Sequence, residues 1–315
     1  MSEAFVTLVT SEPYVAGALV LGASLKRVET TKRMICMVTQ GISTAQLSQF
    51  FEIINVEEIA STDHDNLKLL GRPELEKTLT KLNVWKLELD KVVFMDADML
   101  VLNNIDNLFE YPELSAAPDV GWPDCFNSGL FVCVPSISRF NSIMEMADEG
   151  TFDGGDQGVL NSYFKDWSKK SENRIPFVYN MCFSSVYTYL PAYLQFQSEI
   201  QVVHFLGPIK PWSFQRNEKG EILNNQGLSS NQMDFIRMWW DAFSQIPHCS
   251  EKCGVKCYSN RGTDGGIITS TTSSQVDCGQ TRKQVDHEFV NYRVQWNCEV
   301  EEHFRDDEPD EDSDD

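Results

Sequence analysis

Val92-Val93-Phe94-Met95-Asp96-Ala97-Asp98-Met99-Leu100 is an apolar run that closes on two carboxylates one residue apart. The run reads as a buried strand. At the end of a strand residues i and i+2 point the same way, so Asp96 and Asp98 can grip one cation from one side. Their oxygens suit Mg2+ or Mn2+, hard ions that also bridge to a diphosphate. A buried strand that delivers acids at its carboxyl end is where open α/β sheets place nucleotide chemistry. The same spacing recurs at Asp310-Glu311-Asp312 and Asp312-Ser313-Asp314. Those acids sit in an acidic tail and read as solvated charge.

Working outward, residues 5–10, 34–38 and 51–56 read as further buried strands, and residues 14–26 and 77–89 as helices. Strands that alternate with helices over the first hundred residues imply a parallel sheet covered on both faces, in the order of a Rossmann-like mononucleotide-binding half. Residues 131–135 read as another strand, preceded by Asn127-Ser128-Gly129, and residues 140–147 and 156–164 as helices. A last helix, capped by Ser230, carries Ile236, Trp239, Trp240 and Phe243 on one face and ends at Pro247. These elements predict a single α/β domain over 1–247. Residues 248–288 form a linker with Cys249, Cys253 and Cys257 followed by a Gly/Ser/Thr-rich stretch. Those cysteines lack the second ligand pair of a zinc site and read as reduced thiols. Residues 289–315 are a short amphipathic segment and an acidic disordered end. The segment reads equally as a partner-docking peptide and as an edge strand that folds back.

The 315 residues carry a formal net charge of -21, about half of it after Cys298. An acidic surface argues against nucleic acid and anionic membranes as partners. No basic n-region with an apolar core opens the chain, and no apolar stretch is long enough to span a bilayer. Nine cysteines, odd in number and irregularly spaced, suit reduced thiols in the cytoplasm.

A second segment, Val202-Val203-His204-Phe205-Leu206-Gly207-Pro208-Ile209-Lys210-Pro211-Trp212, delivers a histidine on an apolar strand and then Gly-x-x-Lys. Glycine lets the backbone approach an oxyanion, and lysine supplies a fixed positive charge. An imidazole beside two carboxylates makes a three-ligand set for Mn2+, with positions left for diphosphate oxygens.

Four stretches together resemble glycosyltransferase family 8: Asp96-Ala97-Asp98, the run from Gly121 to Gly129, Asp153-Gly154-Gly155-Asp156-Gln157-Gly158, and the His204–Trp212 segment. The opening from Phe5 to Gly22 and Tyr187-Thr188-Tyr189-Leu190-Pro191-Ala192 are similar too. The likeness is collinear over residues 3–245 and points to self-glucosylating members that prime glycogen synthesis. It implies a GT-A fold with a mainly parallel central sheet, UDP-glucose as donor, Mn2+ (or Mg2+) as cofactor and retention of anomeric configuration. By resemblance, Leu8, Thr10, Ser11 and Tyr14 hold the uridine, with Ser11 standing where the family has asparagine. Arg72 and Lys81 match cationic residues near the donor. Asp96, Asp98 and His204 ligate the metal, and Ala97 offers a backbone contact. Gly207 and Lys210 hold the diphosphate, and Asn127, Ser128, Asp153, Asp156 and Gln157 surround the glucose. Asp156 and Lys210 act in catalysis, and Tyr187 is the glucosylated acceptor.

The resemblance also implies a homodimer, a growing glucan as bound product and glycogen synthase as a partner of the C-terminal segment. Two alternatives compete with self-glucosylation. One is a family 8 transferase acting in trans on a separate polyol or glycan, served by the same donor site. The other is a scaffold whose tail recruits the synthase while catalysis is dispensable.

Overall fold

The chain opens on β1 (Glu3–Val9), whose apolar side chains are buried on both faces, as a central strand requires. The computed structural model describes residues 2–247, apart from 62, 64, 65, 67–72, 186–189, 218 and 224–226. The expected linker and tail, 248–288 and 289–315, lie outside the described residues.

After β1 comes α1 (Pro13–Arg27), with proline at its start and Lys26 and Arg27 in the last turn, where cations suit the negative end of the helix dipole. Nearly all of it is buried, from Val15 to Leu25. That is why the sequence there is apolar all round rather than amphipathic. Strands β2 (Arg33–Val38), β3 (Glu52–Asn55) and β4 (Lys91–Met95) follow. The pairs β1–β2, β1–β4 and β2–β3 are all parallel. Of the helix expected at 77–89, residues 77–86 instead belong to a tighter 3-10 coil, Pro73–Lys86, and 87–89 lie beyond its end. Trp85 of this coil is buried and stacks on Phe131 with ring centroids 5.4 Å apart.

Two further strands, β6 (Ser115–Pro118) and β7 (Phe126–Cys133), complete a six-stranded sheet in the order β3-β2-β1-β4-β7-β6; β5 (Met99–Val101) lies outside it. β7 is antiparallel to both of its neighbours, so the sheet is mainly but not wholly parallel. The short connection from β6 allows a return strand and no helical crossover. β7 also begins earlier than expected, at Phe126 rather than at residue 131, and all its residues are buried. Asn127, Ser128 and Gly129 broke the apolar run that would have marked its start.

A second, three-stranded sheet has the order β5-β9-β8, with β8 (Met181–Cys182) and β9 (Val202–His204). Helices α2 (Ile137–Asp148), α3 (Asp156–Tyr163), α4 (Leu190–Phe196) and α5 (Ser230–Ser244) complete the described elements used below. The cap of α5 is Ser229, one residue before the expected Ser230, and it forms a capping box with Gln232. The face expected to be apolar is indeed buried: Ile236, Trp239, Trp240 and Phe243 all sit in the core. Among the described residues no helix is long and apolar enough to cross a membrane.

Candidate active site

The first strands run out along one side of β1 as β2 and β3, and the chain then returns to place β4 on its other side. Such a reversal of strand order opens a crevice beyond the carboxyl ends of the strands. Here it becomes a cleft of about 520 Å³. β1 ends at its rim with Thr10 and Ser11, β4 ends there with Asp96, and the antiparallel β7 starts there with Asn127 and Ser128. The register that pairs Met95 with Leu130, and the Asp96 N–H donated to the Gly129 carbonyl at 2.8 Å, bind these edges together.

The second sheet delivers the histidine. Met99 of β5 lies opposite His204 of β9, and Cys182 of β8 flanks His204 on the other side. The Phe205 N–H donates to the Asp98 carbonyl at 2.9 Å. This register sets His204 Nε2 3.4 Å from Asp98 Oδ1 and 4.0 Å from Asp96 Oδ2. One ligand atom from each of Asp96, Asp98 and His204 falls within 4.8 Å of the others. Two carboxylate oxygens and one imidazole nitrogen make a donor set that fits Mn2+ or Mg2+.

Two glycines make the convergence sterically feasible. A Cβ at Gly129 would lie 2.4 Å from Cε1 of His204, and one at Gly17 would lie 2.6 Å from the Ala97 carbonyl oxygen. The first clears the histidine ring and the second lets α1 press against the Asp96–Asp98 turn.

Two buried lysines hold the acids. Lys81 Nζ lies 2.7 Å from Asp156 Oδ2 and 3.0 Å from Asp96 Oδ1, and donates to the Ser128 carbonyl at 3.1 Å. Burial works against its charge, but Asp156 and Asp96 hold its pKa above the ordinary lysine value, so it stays an ammonium. Burial pushes the Asp96 carboxyl up, and Asp98 adds to this against the pull of Lys81. Lys210 Nζ contacts Asp98 Oδ2, donates to the Phe205 carbonyl at 2.9 Å and lies 5.7 Å from the centre of the Tyr14 ring. Burial disfavours its charge too, and Asp98 more than restores it. Gly207, at φ +103°, makes the turn between His204 and Lys210, and Trp240 Nε1 donates to the Pro211 carbonyl at 3.1 Å, tying that segment to α5.

At the other end of the cleft, Asp156 Oδ2 also accepts from Ser128 Oγ at 2.7 Å, and Gln157 Oε1 accepts from the Ser128 N–H at 3.2 Å. Gln157 Nε2 donates to Asp119 Oδ2 at 2.5 Å. Asp153 lies just ahead of α3, its Oδ1 accepting at 2.8 Å from the N–H of Gly155, the residue at the helix cap. Burial raises its pKa. It reaches the cleft, but one carboxylate oxygen is already spent on orienting the helix that bears Asp156 and Gln157.

The cleft therefore gathers Leu8, Thr10, Ser11, Tyr14, Lys81, Asp96, Ala97, Asp98, Asn127, Ser128, Asp153, Asp156, Gln157, His204 and Lys210. Gly207 is not among its lining residues. Arg72 and Tyr187 lie outside the described residues. The sequence reading missed Asp119, Lys77, Thr78 and Leu206, which also line the cleft. Leu206 lies inside the His204–Trp212 segment and Asp119 two residues before the Gly121–Gly129 run; apart from that nearness, only the spatial closure of the sheet brings the four in.

Residues 5–216 match the family described as Glycosyl transferase family 8. Glycogenin-1 of Mus musculus is 48% identical over 251 residues, covering 77% of this chain and 75% of that protein. Glycogenin-2 of Homo sapiens is 47% identical, covering 76% of this chain and 50% of that protein. A galactosyltransferase, LgtC, solved in complex with donor and acceptor sugar analogs, has a TM-score of 0.53 at 16% identity and covers 79% of this chain and 98% of its own. That likeness speaks to the glycosyltransferase fold.

Proposed function

Since the chain belongs to glycosyltransferase family 8, we propose that it transfers glucose from UDP-glucose to its own Tyr187, with retention, and extends the product into a short glucan that primes glycogen synthesis. The observation that carries this reading is the convergence of Asp96, Asp98 and His204 on one point at the end of β4. Similarity to glycogenins of 47–48% identity supports the choice of donor and acceptor.

In this reading Leu8, Thr10, Ser11 and Tyr14 bind the uridine, while Asp96, Asp98 and His204 hold Mn2+, with Ala97 between them. A bound ion there would stabilise the negative charge that develops on the departing diphosphate. Lys210 adds a second, fixed positive charge on the same edge, and Gly207 lets its segment close over the phosphates. Lys81 keeps Asp156 ionised and aimed. Asp156 in turn stabilises the oxocarbenium character that grows at the sugar carbon, and Asn127, Ser128, Asp153 and Gln157 orient the glucose. The bond from glucose C1 to the β-phosphate oxygen breaks with its electron pair going to UDP. The tyrosine oxygen bonds to the same face of C1, and its proton passes to the departing phosphate oxygen. A phenol of pKa about 10 is neutral near pH 7, so this proton transfer is needed during attack. β8, whose Cys182 flanks His204, is the described strand that leads toward Tyr187 in the chain. By its likeness to the family Arg72 would serve as a cationic residue for the donor, and a homodimer would present one subunit's tyrosine to the other. Residues 290–304 would dock glycogen synthase, and the protein would work in the cytoplasm.

Incubating the purified protein with UDP-glucose and Mn2+ should give a ladder of hexose increments in the intact mass, absent when the metal is chelated. An unchanged mass, with UDP-glucose consumed by transfer to added maltose or a polyol, would select action in trans instead.

A further inference from the structure

We propose that Asn180, held by Asn127, is a positioning residue that fixes which ring nitrogen of His204 carries the proton, and so keeps Nε2 ready to bind a divalent cation. This rests on the metal reading above. The three side chains are 7% (Asn127), 2% (Asn180) and 2% (His204) exposed, so water does not compete for their polar atoms. The order of donors and acceptors is set from a group that cannot rotate. The Gly129 backbone N–H donates to Asn127 Oδ1 at 3.0 Å. That same oxygen accepts from Asn180 Nδ2 at 2.8 Å. With its amide nitrogen committed there, Asn180 turns Oδ1 toward His204 Nδ1, 2.8 Å away.

A carbonyl oxygen only accepts, so Nδ1 must be the protonated nitrogen. A neutral imidazole then has its lone pair on Nε2, the atom that faces Asp98 and Asp96. Reversing the Asn180 amide would set its oxygen against Asn127 Oδ1, two acceptors face to face. Reversing Asn127 as well would set its NH2 against the Gly129 N–H, two donors face to face. Each alternative ends in a buried mismatch, between the two amides or at the Gly129 N–H, so the relay has one direction. Gly129 has a second duty here, because a side chain at that position would strike the histidine ring. Outer partners of this kind orient ligating histidines and raise their basicity. In this chain the partner is an amide with no charge of its own, and its orientation is inherited from a residue at the sugar end of the cleft. Asn127 thereby couples the two ends of the site.

The test uses the full chain with Asn180→Ala and Asn180→Asp. In the metal-free wild type, at a pH where the ring is neutral, nitrogen-15 shifts of the His204 ring should report protonated Nδ1 and bare Nε2, and in Asn180→Ala a mixture of both tautomers. Mn2+ affinity, read by the paramagnetic resonance of free Mn2+ with UDP present, should fall about 10–100-fold in Asn180→Ala. Asn180→Asp keeps an acceptor for Nδ1 but sets its second oxygen against Asn127 Oδ1, so its ring should keep the proton on Nδ1 while the fold melts below wild type. Wild-type affinity in Asn180→Ala, or a wild-type ring protonated on Nε2, overturns the proposal. Should Asn180→Ala fail to fold, the wild-type shifts decide alone. A wild type that does not bind Mn2+ at all would count against the metal reading, while the ring shifts still judge the relay.

Discussion

Asp98→Asn is expected to lower glucose transfer by about 10²–10³-fold, the range that follows the loss of one preorganised electrostatic group at a transition state. The substitution changes almost no volume, so the fold should survive. What changes is charge in a buried place. Asp98 Oδ1 faces His204 Nε2 at 3.4 Å, and Oδ2 contacts the Lys210 ammonium. Asparagine is a poor ligand for a hard cation, and it leaves Lys210 buried beside a neutral amide. Burial pushes the Asp98 carboxyl up, yet Lys210 and His204 outweigh it and hold its pKa below the usual carboxylate range. A carboxyl depressed by folding contributes stability above its unfolded value of about 3.9, and that contribution disappears as pH falls through the folded value. Without metal, the variant should therefore melt below wild type at pH 7, and the gap should narrow as pH drops below about 4. Transfer rates with Mn2+ and melting curves across pH check both halves.

Tyr187→Phe should abolish hexose addition to the protein altogether, because no phenolic oxygen remains to form the bond. Hydrolysis of UDP-glucose should persist, since none of the described residues that line the cleft is altered. Tyr189→Phe should still build the ladder. A ladder in Tyr187→Phe that vanishes in Tyr189→Phe would move the acceptor by two residues and leave the donor site as described.

The parts of the site legible in the sequence are those announced by local pattern. An apolar run stopping at Asp96 and Asp98, and another delivering His204, can be read because burial of a whole strand leaves its signature in consecutive residues. Collinear likeness to the family then supplied the sugar and diphosphate residues. What stayed hidden depends on distance along the chain. Lys81 meets Asp156 across 75 positions and Lys210 meets Asp98 across 112. Nothing near Asn180 marks it as the partner of His204, because an asparagine after Phe177-Val178-Tyr179 has no pattern to break. The start of β7 was lost for the opposite reason. Its polar residues looked like a loop, although the strand is buried and the polarity serves the cleft. Residues 77–86 carried a helical period, but the chain there winds more tightly, and tertiary packing of Trp85 overrides that local preference.

Two strand-end carboxylates and one imidazole are placed to share a single divalent ion. Crystals grown with UDP and Mn2+, measured at the manganese absorption edge, locate that ion without reference to activity. One anomalous peak is expected, bonded to Asp96, Asp98 and Nε2 of His204 at about 2.0–2.2 Å. A peak held by other side chains, or none at these three, would contradict this placement.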